Sequence, residues 1–538
     1  MNKYILAALS VTGGIMCGLA WTDWCPGLIL LFGFVPFFII EDHLFNNRKR
    51  YTSNAYFLYL LPGFVIFSIL TFGWIRVISI VAAISVILSG AFLMSFTMWL
   101  AFRVRLKEGT LQGSVSLVAF WLTLELVCLK IPFLSPWINL GNGLSKEILF
   151  IQWYEVTGTA GGTFWILLSN LLLSRFLLSL SAKGRVLWIS LSFWLAVITI
   201  PSAASIIRYY TIKPSEGTEN EAVIIQPNFD PYGEKFRLPF EKQLEKIIEM
   251  AMPVVTDKSI WLITPETTIN DPVDENNLAG DKYIRIIRDY IAVQPSVSVI
   301  AGIVSFTSSD IVPRKDSDTD KLRIQPAPQV DYYNSAFKID TGPEIEIYHK
   351  SKLVPGFEYI PATGLMGMLS RILPELGGIN RGYTAQEERV CFKNSVSLQK
   401  IAPVICYESV FGEYVTDYIK KGAGAIFIIT NDGWWKNTNG YKNHLTCASL
   451  RAIETRRPVV RAANTGVSCF IDIRGRVTAR TPWWEAVALK GKFIPDTRIT
   501  FYVKYGDFLM VFASILTIVI LISIFVVQPV LKKTGKFE

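Results

Sequence analysis

The sequence predicts a polytopic α-helical membrane domain of eight spans joined to an α/β sandwich domain. Residues 51–75, 77–102, 186–207 and 508–531 contain no Asp, Glu, Lys or Arg, and each stretch can cross about 30 Å of hydrocarbon at about 1.5 Å per residue. Basic residues gather in the connections on one side of these runs. Residues 209–506 differ, alternating short β-rich apolar runs with amphipathic stretches. Composition agrees: 51% of the 538 residues are hydrophobic and only 18% are charged, against about 25% charged in soluble chains. Mean hydropathy is +0.36, which excludes a wholly soluble chain and a disordered one.

The spans are expected at 4–21, 25–41, 55–75, 77–101, 112–130, 160–181, 186–208 and 507–530. Arg175 falls inside the sixth and needs a partner or a shifted boundary. The first run has no small-x-small cleavage site before Trp21, and further spans follow at once. It is therefore read as a retained span, not a cleaved signal. With the N-terminus cytoplasmic, the inner segments carry twelve basic residues: Lys3, Arg48 to Arg50, Arg103, Arg105, Lys107, Lys183, Arg185, Lys532, Lys533 and Lys536. The opposite short loops carry three, Arg76, Lys130 and Lys146. This positive-inside bias divides the chain into a membrane domain at 1–208 (spans 1–7), an extracytoplasmic domain at 209–506, and span 8 with a cytoplasmic tail at 507–538. It also accounts for the net charge of +9 without nucleic acid.

In the outer segment, strands are expected at 222–226, 260–264, 297–304, 344–350, 402–409, 425–430 and 458–463. Helical periodicity appears at 240–255, 280–293, 410–421 and 442–457. Strands alternating with helices predict a layered α/β sandwich. Residues 306–330 read as a surface loop, and 361–385 as a mobile lid.

Three segments place reactive side chains at strand ends, where α/β sheets collect ligands: Glu266 after IWLIT, Lys350 within Tyr348-His349-Lys350, and Cys406 after APVI. A thiol is mostly protonated at neutral pH. A carboxylate can take its proton, an ammonium favours the thiolate, and the same ammonium can hold an oxyanion. Cys, Glu and Lys thus form a complete set without histidine, of which the chain has three. Seven cysteines without a C-x-x-C exclude a dense disulfide framework and a standard zinc pattern. Taken singly, Cys406 reads as a small buried residue, Glu266 as a cap or turn, and Lys350 as part of a solvated strip.

Taken together, P-E-T (265–267), Y-H-K-x-x-L-V-P-x-x-E (348–358) and V-I-C-Y-E (404–408) resemble the nitrilase superfamily. N-D-G-W-W (431–435), His444, R-A-I-E-T-R-R-P (451–458) and R-A-A-N-T-G (461–466) extend the likeness. With the apolar spans around it, the whole chain is similar to the family's membrane-embedded branch, the bacterial apolipoprotein N-acyltransferases. The resemblance implies a nitrilase-like αββα sandwich. It implies Glu266 as base, Lys350 as oxyanion donor and Cys406 as nucleophile, with Glu358, Tyr407 and Glu408 in support. Lys352 ranks below Lys350. The segment before Glu358 departs from the family pattern as Pro355-Gly356-Phe357. An aromatic substrate-side residue falls to Phe236 or Tyr232, and Trp434 and Trp435 either line an acyl cleft or pack a core. Asn431, Asp432 and His444 read as structural.

The likeness further implies ping-pong acyl transfer through a Cys thioester. The donor is a phospholipid and the acceptor is the N-terminal diacylglyceryl-cysteine of an apolipoprotein. It implies a monomer in the bacterial inner membrane, with the catalytic domain outside and no cofactor or metal. A membrane-tethered amidase acting on a small amide, and a non-catalytic receptor or transporter, are the alternatives.

Overall fold

In hydrocarbon an apolar segment must satisfy its own backbone, so long apolar runs become helices. The computed structural model describes residues 1–132, 134–180, 185–235, 237–309, 329–359 and 382–529. Among these, seven helices are long and apolar enough to cross a membrane. A shorter helix, α1 (Lys3–Leu19), precedes them. The first six are α2 (Gly27–Asn46), α3 (Ser53–Val77), α4 (Ile80–Glu108), α5 (Thr110–Lys130), α6 (Tyr154–Leu178) and α7 (Trp188–Thr211); the seventh is the C-terminal helix Phe508–Val527. The eight expected spans are thus seven full-length helices and one of 17 residues. The sixth runs Tyr154–Leu178 rather than 160–181, and its end at Leu178 puts Arg175 in the last turn, where its guanidinium donates to Ser114 Oγ (3.1 Å).

Polar groups inside this bundle are spent on irregular backbone. Asn170 Oδ1 accepts from Phe34 N (2.8 Å) and Val35 N (3.2 Å), where α2 changes from one helical segment to the next. Glu125, fully buried, accepts from Leu140 N (2.8 Å), Thr163 Oγ1 (2.8 Å) and Trp121 Nε1 (3.1 Å). It pins the loop after α5, which carries Trp137. Gly14 and Gly63 let α1 and α3 touch, since a Cβ on Gly14 would sit 2.1 Å from the Gly63 carbonyl oxygen.

The segment between the last two long apolar helices forms two sheets. One takes β1 (Asn220–Gln226), β2 (Ser259–Ile263), β3 (Ile269–Asp274), β4 (Ser298–Ser309), β5 (Gln329–Ile339), β6 (Glu346–His349) and, at its far edge, β13 (Val487–Phe493). Their order is β13-β1-β2-β4-β5-β6, with β3 also on β4. The other runs β12-β11-β10-β9-β8-β7, from β7 (Phe392–Lys393), β8 (Lys400–Ile405), β9 (Ala425–Thr430), β10 (Val459–Ala463), β11 (Cys469–Ile471) and β12 (Val477–Arg480). Their facing sides interlock through pairs such as Trp261 on Phe427 (5.3 Å). Helices α8 (Phe240–Ala251) and α9 (Lys282–Val293) cover the first sheet through Leu244, Ile247, Ile284 and Ile287. Helices α10 (Gly412–Lys420) and α11 (Asn439–Thr455) cover the second. The layering is the αββα sandwich.

Helix α11 is buried on two faces. Ala448 and Ala452 meet the sheet, while Cys447, Leu450 and Ile453 join the core of the membrane bundle. Arg456 fixes the same junction, donating to Glu155 (2.7 Å) and to Gln152 Oε1 (2.6 Å). The expected loop at 306–330 is strand at both described ends, 306–309 in β4 and 329–330 in β5, where alternation carries the hairpin further than its polar composition suggests. The expected lid at 361–385 lies outside the described residues except for 382–385.

Candidate active site

Parallel pairing puts strand ends side by side. In the second sheet Ile405 of β8 is opposite Ile429 of β9, so Cys406 and Thr430 meet just past the ladder. Thr430 Oγ1 lies 3.3 Å from Cys406 Sγ. Cys406 has φ 48°, a left-handed conformation that costs a non-glycine residue about 1 kcal/mol or more and turns the chain sharply into a 3₁₀ turn. That turn is held from outside. Arg451, buried and paired with Glu454 (2.7 Å), donates to the carbonyls of Ser409 (2.9 Å) and Val410 (2.8 Å). His444 Nε2 lies 3.0 Å from the Cys406 carbonyl oxygen and 2.9 Å from Ser409 Oγ. His444 Nδ1 faces Asp432 Oδ1 (3.2 Å), and Asp432 accepts from Arg461 at 2.8 and 2.9 Å. All three are fully buried.

In the first sheet, β6 is antiparallel to β5 and β5 to β4, so β6 ends at the same edge as β2 and β4. Glu266 follows β2 and Lys350 follows β6. The turn at Glu266 presses onto β4: a Cβ on Gly302 would meet the Pro265 carbonyl oxygen at 2.3 Å and Glu266 Cα at 2.6 Å. Lys350 Nζ donates to Glu266 Oε1 (2.9 Å) and Glu358 Oε1 (2.9 Å). Asn334 on β5 donates from Nδ2 to the same two oxygens (2.9 and 2.8 Å). Its carbonyl accepts from Lys350 N (2.8 Å).

Glu408 joins the two sheets. Its Oε2 accepts from Ile405 N (2.8 Å), and its Oε1 accepts from Ser351 N (2.7 Å), Tyr348 Oη (2.6 Å) and Tyr414 Oη (2.7 Å). One carboxylate thus fixes the residue before Cys406 and the residue after Lys350.

The charges assign protons. Burial pushes the Cys406 thiol far above its ordinary range, and the Glu266 charge adds to this against the opposing pull of Lys350. Burial also works against the Glu266 carboxylate, but Lys350, Asn334 and the Cys406 thiol outweigh it, leaving Glu266 below the usual carboxylate range. Burial disfavours the Lys350 ammonium, yet Glu266 and Glu358 hold it well above the ordinary lysine range. The resting set is therefore a thiol, a carboxylate and an ammonium.

Several other residues named from sequence have structural places. Lys352 lies over the Phe411 and Tyr414 rings (5.3 and 5.9 Å) rather than between carboxylates. His349 faces away from Lys350, stacked on Tyr333 (4.0 Å) and bonded to Ser335 Oγ (2.9 Å). Trp435 packs between His444 (5.0 Å) and Trp74 of the membrane bundle (5.5 Å). Tyr232 rests on Trp434 (5.3 Å) and donates to its carbonyl (2.7 Å). Phe236 lies outside the described residues. All seven cysteines are free.

Three residues escaped the sequence reading: Asn334, Thr430 and Lys235. Lys235 is buried and donates to the Glu266 carbonyl (3.2 Å) and Thr267 Oγ1 (2.7 Å), with burial lowering its pKa to about 8. Beside the Cys406 turn, a cleft of about 190 Å³ runs between Cys128, Lys130 and Ile131 at the end of α5 and Leu353, Tyr407 and Phe411 of the α/β domain.

The chain is similar in sequence to known proteins. Residues 240–490 match the family described as carbon-nitrogen hydrolase, and residues 13–172 match the apolipoprotein N-acyltransferase N-terminal domain. An apolipoprotein N-acyltransferase of Chlorobaculum tepidum is 25% identical, over 93% of this chain and 92% of its own length. One from Geobacter metallireducens is 25% identical, over 94% and 90%. Nit3 of Saccharomyces cerevisiae, a member of branch 10 of the nitrilase superfamily, superposes with a TM-score of 0.36 at 12% identity, over 53% of this chain and 93% of its own.

Proposed function

We propose that this chain, a bacterial membrane N-acyltransferase of the nitrilase superfamily, acylates lipoproteins through a thioester on Cys406. The donor is a phospholipid. The acceptor is the α-amino group of the N-terminal diacylglyceryl-cysteine of an apolipoprotein. The observation that carries this reading is the convergence of Glu266, Lys350 and Cys406 from three strand ends beside a cleft lined by the end of a membrane span.

Glu266 takes the thiol proton as Sγ attacks the ester carbonyl carbon. The carbonyl oxygen becomes an oxyanion, stabilised by Lys350 Nζ and the Tyr407 N–H. Glu358 accepts from Lys350, and Asn334 accepts from the Lys350 N–H and donates to both carboxylates, so the two hold Lys350 in place. Collapse breaks the ester C–O bond, and the lysophospholipid oxygen leaves with the proton from Glu266. The α-amine then attacks the thioester, gives its proton to Glu266, and expels the Cys406 thiolate. Reprotonation of the sulfur restores the resting site and leaves an amide. This is ping-pong transfer by one acid–base group used twice.

The membrane placement follows from the chemistry. Withdrawing an acyl chain into water costs about 0.8 kcal/mol per CH₂, so a thiol beside the bilayer avoids the largest barrier. The basic inner loops support an orientation with 209–506 on the outer face of the inner membrane. We assign the membrane domain to 1–208, the catalytic domain to 209–506 and the last span with its tail to 507–538, acting as a monomer without a cofactor. The test is purified protein in phospholipid vesicles with a synthetic diacylglyceryl-cysteinyl peptide. An N-acylated peptide and an equal yield of lysophospholipid are expected. Turnover of small soluble amides without peptide acylation would make it an amidase instead.

A further inference from the structure

Two acceptors lie within reach of a single hydrogen at the end of β9. Thr430 Oγ1 is 3.1 Å from Asp432 Oδ1 and 3.3 Å from Cys406 Sγ, and Thr430 is fully buried. A hydroxyl has one O–H and can serve only one of them at a time. While the sulfur is a neutral thiol, the carboxylate is the stronger acceptor. When the sulfur becomes an anion in the same buried space, the order changes. Asp432 loses little by releasing the hydroxyl, because Arg461 already donates to both its oxygens (2.9 and 2.8 Å). The thiolate, by contrast, has been taken out of water with the Glu266 carboxyl on one side of it.

We propose that Thr430 is a further catalytic residue whose hydroxyl hydrogen turns from Asp432 to Cys406 Sγ as the thiolate forms and returns when the sulfur is acylated. This rests on the reading of Cys406 as nucleophile. No bond to Thr430 is made or broken: the thiol proton goes to Glu266, and the threonine O–H only changes the atom it points to. A thioester sulfur is a weak acceptor, so the hydroxyl goes back to Asp432 in the acyl-enzyme. It turns to the sulfur again when the amine expels the thiolate. The same motion therefore helps both halves of the reaction. Asp432, Arg461 and His444 are positioning residues. They fix the hydroxyl's resting acceptor and, through the His444 contact with the Cys406 carbonyl (3.0 Å), the left-handed turn of the nucleophile.

The test is the pH profile of Cys406 alkylation by iodoacetamide in the full-length protein in detergent, read by mass spectrometry of the Cys406 peptide. Thr430→Val keeps the shape and removes the donor. We expect it to alkylate about tenfold more slowly at neutral pH, with the profile moved up by about one unit, since one pKa unit is a tenfold change in thiolate. Thr430→Ser should stay within about twofold of the parent. Acyl transfer by Thr430→Val should lose kcat with KM unchanged. An unaltered profile in Thr430→Val, or a Thr430→Ser profile as displaced as that of Thr430→Val, overturns the proposal. Should Thr430→Val not accumulate as folded protein, Thr430→Ala is compared with Thr430→Ser by the same criterion. If alkylating Cys406 in the parent leaves acyl transfer intact, the nucleophile reading falls and takes this one with it. If alkylation stops transfer but Thr430→Val behaves as the parent, only the role of Thr430 falls.

Discussion

The two sheets of the α/β domain supply the two halves of the site by different means. The half bearing Cys406 is clamped by buried charge: Arg451 with Glu454 holds the turn, and Arg461, Asp432 and His444 hold the residue itself. The back of this half is the membrane bundle, which reaches His444 through Trp137 (6.4 Å) and through Trp435 and Trp74. The half bearing Glu266 and Lys350 is covered by α8 and α9, and meets the bundle across the cleft at the end of α5. Its fixed charges are the reacting groups Glu266 and Lys350, with Glu358 and Lys235 against them. The comparison teaches that the nucleophile is positioned by structure the reaction does not consume, while the base and the oxyanion donor position each other. Glu408 is the hinge pin between the two.

That contrast can be broken at its strongest point first. Cys406→Ser should reduce acyl transfer to background, because a hydroxyl is far harder to ionise than a thiol; the readout is peptide acylation in vesicles. Lys350→Ala should follow, with a loss of about 10²–10³ in kcat, the usual cost of an oxyanion donor. Lys352→Ala should cost far less, and the reverse ranking would refute the assignment of the oxyanion donor. Glu408→Gln comes next. The amide keeps one acceptor and adds a donor, so at least one of the Ile405 and Ser351 N–H groups is orphaned at about 1–3 kcal/mol each. A lower unfolding temperature and a slower Cys406 alkylation are expected together. If only stability fell, Glu408 would serve one sheet and not the junction.

The smallest effect is on pH. Glu266 has a folded pKa below its unfolded value. Its stabilising contribution is therefore complete above about pH 4.3 and is lost as pH falls through the folded pKa. The acid limb of kcat/KM in the parent should lie below the ordinary glutamate range, and Glu266→Gln should lose acyl transfer at every pH. That variant should also leave Cys406 nearly inert to iodoacetamide at neutral pH, because burial keeps the thiol protonated without its base.

How much of this was legible in the sequence follows the same division. Apolar length and the basic loops gave away the spans because hydrocarbon leaves a chain few alternatives. The strands ending in Glu266 and Cys406 were visible as apolar runs, since parallel strands buried on both faces read that way. Strand β5 was not, because Gln329–Ile339 alternates polar and aromatic residues beside a polar stretch. With it went Asn334. Thr430 looked like the ordinary end of a strand, and only the pairing of Ile405 with Ile429 brings it to the sulfur. A register drawn between 402–405 and 425–430 would have found it. Lys235 had no signal, since its partners are a carbonyl and a hydroxyl 31 and 32 residues away.

The central claim is an acyl group carried on one sulfur. Purified protein is incubated with a phospholipid of defined chains and no acceptor, then measured intact and as peptides. The account predicts a mass increase of one acyl chain, confined to the Cys406 peptide, released by the diacylglyceryl-cysteinyl peptide and absent from Cys406→Ser. An unmodified Cys406 while acylated peptide still forms in the complete reaction would contradict it.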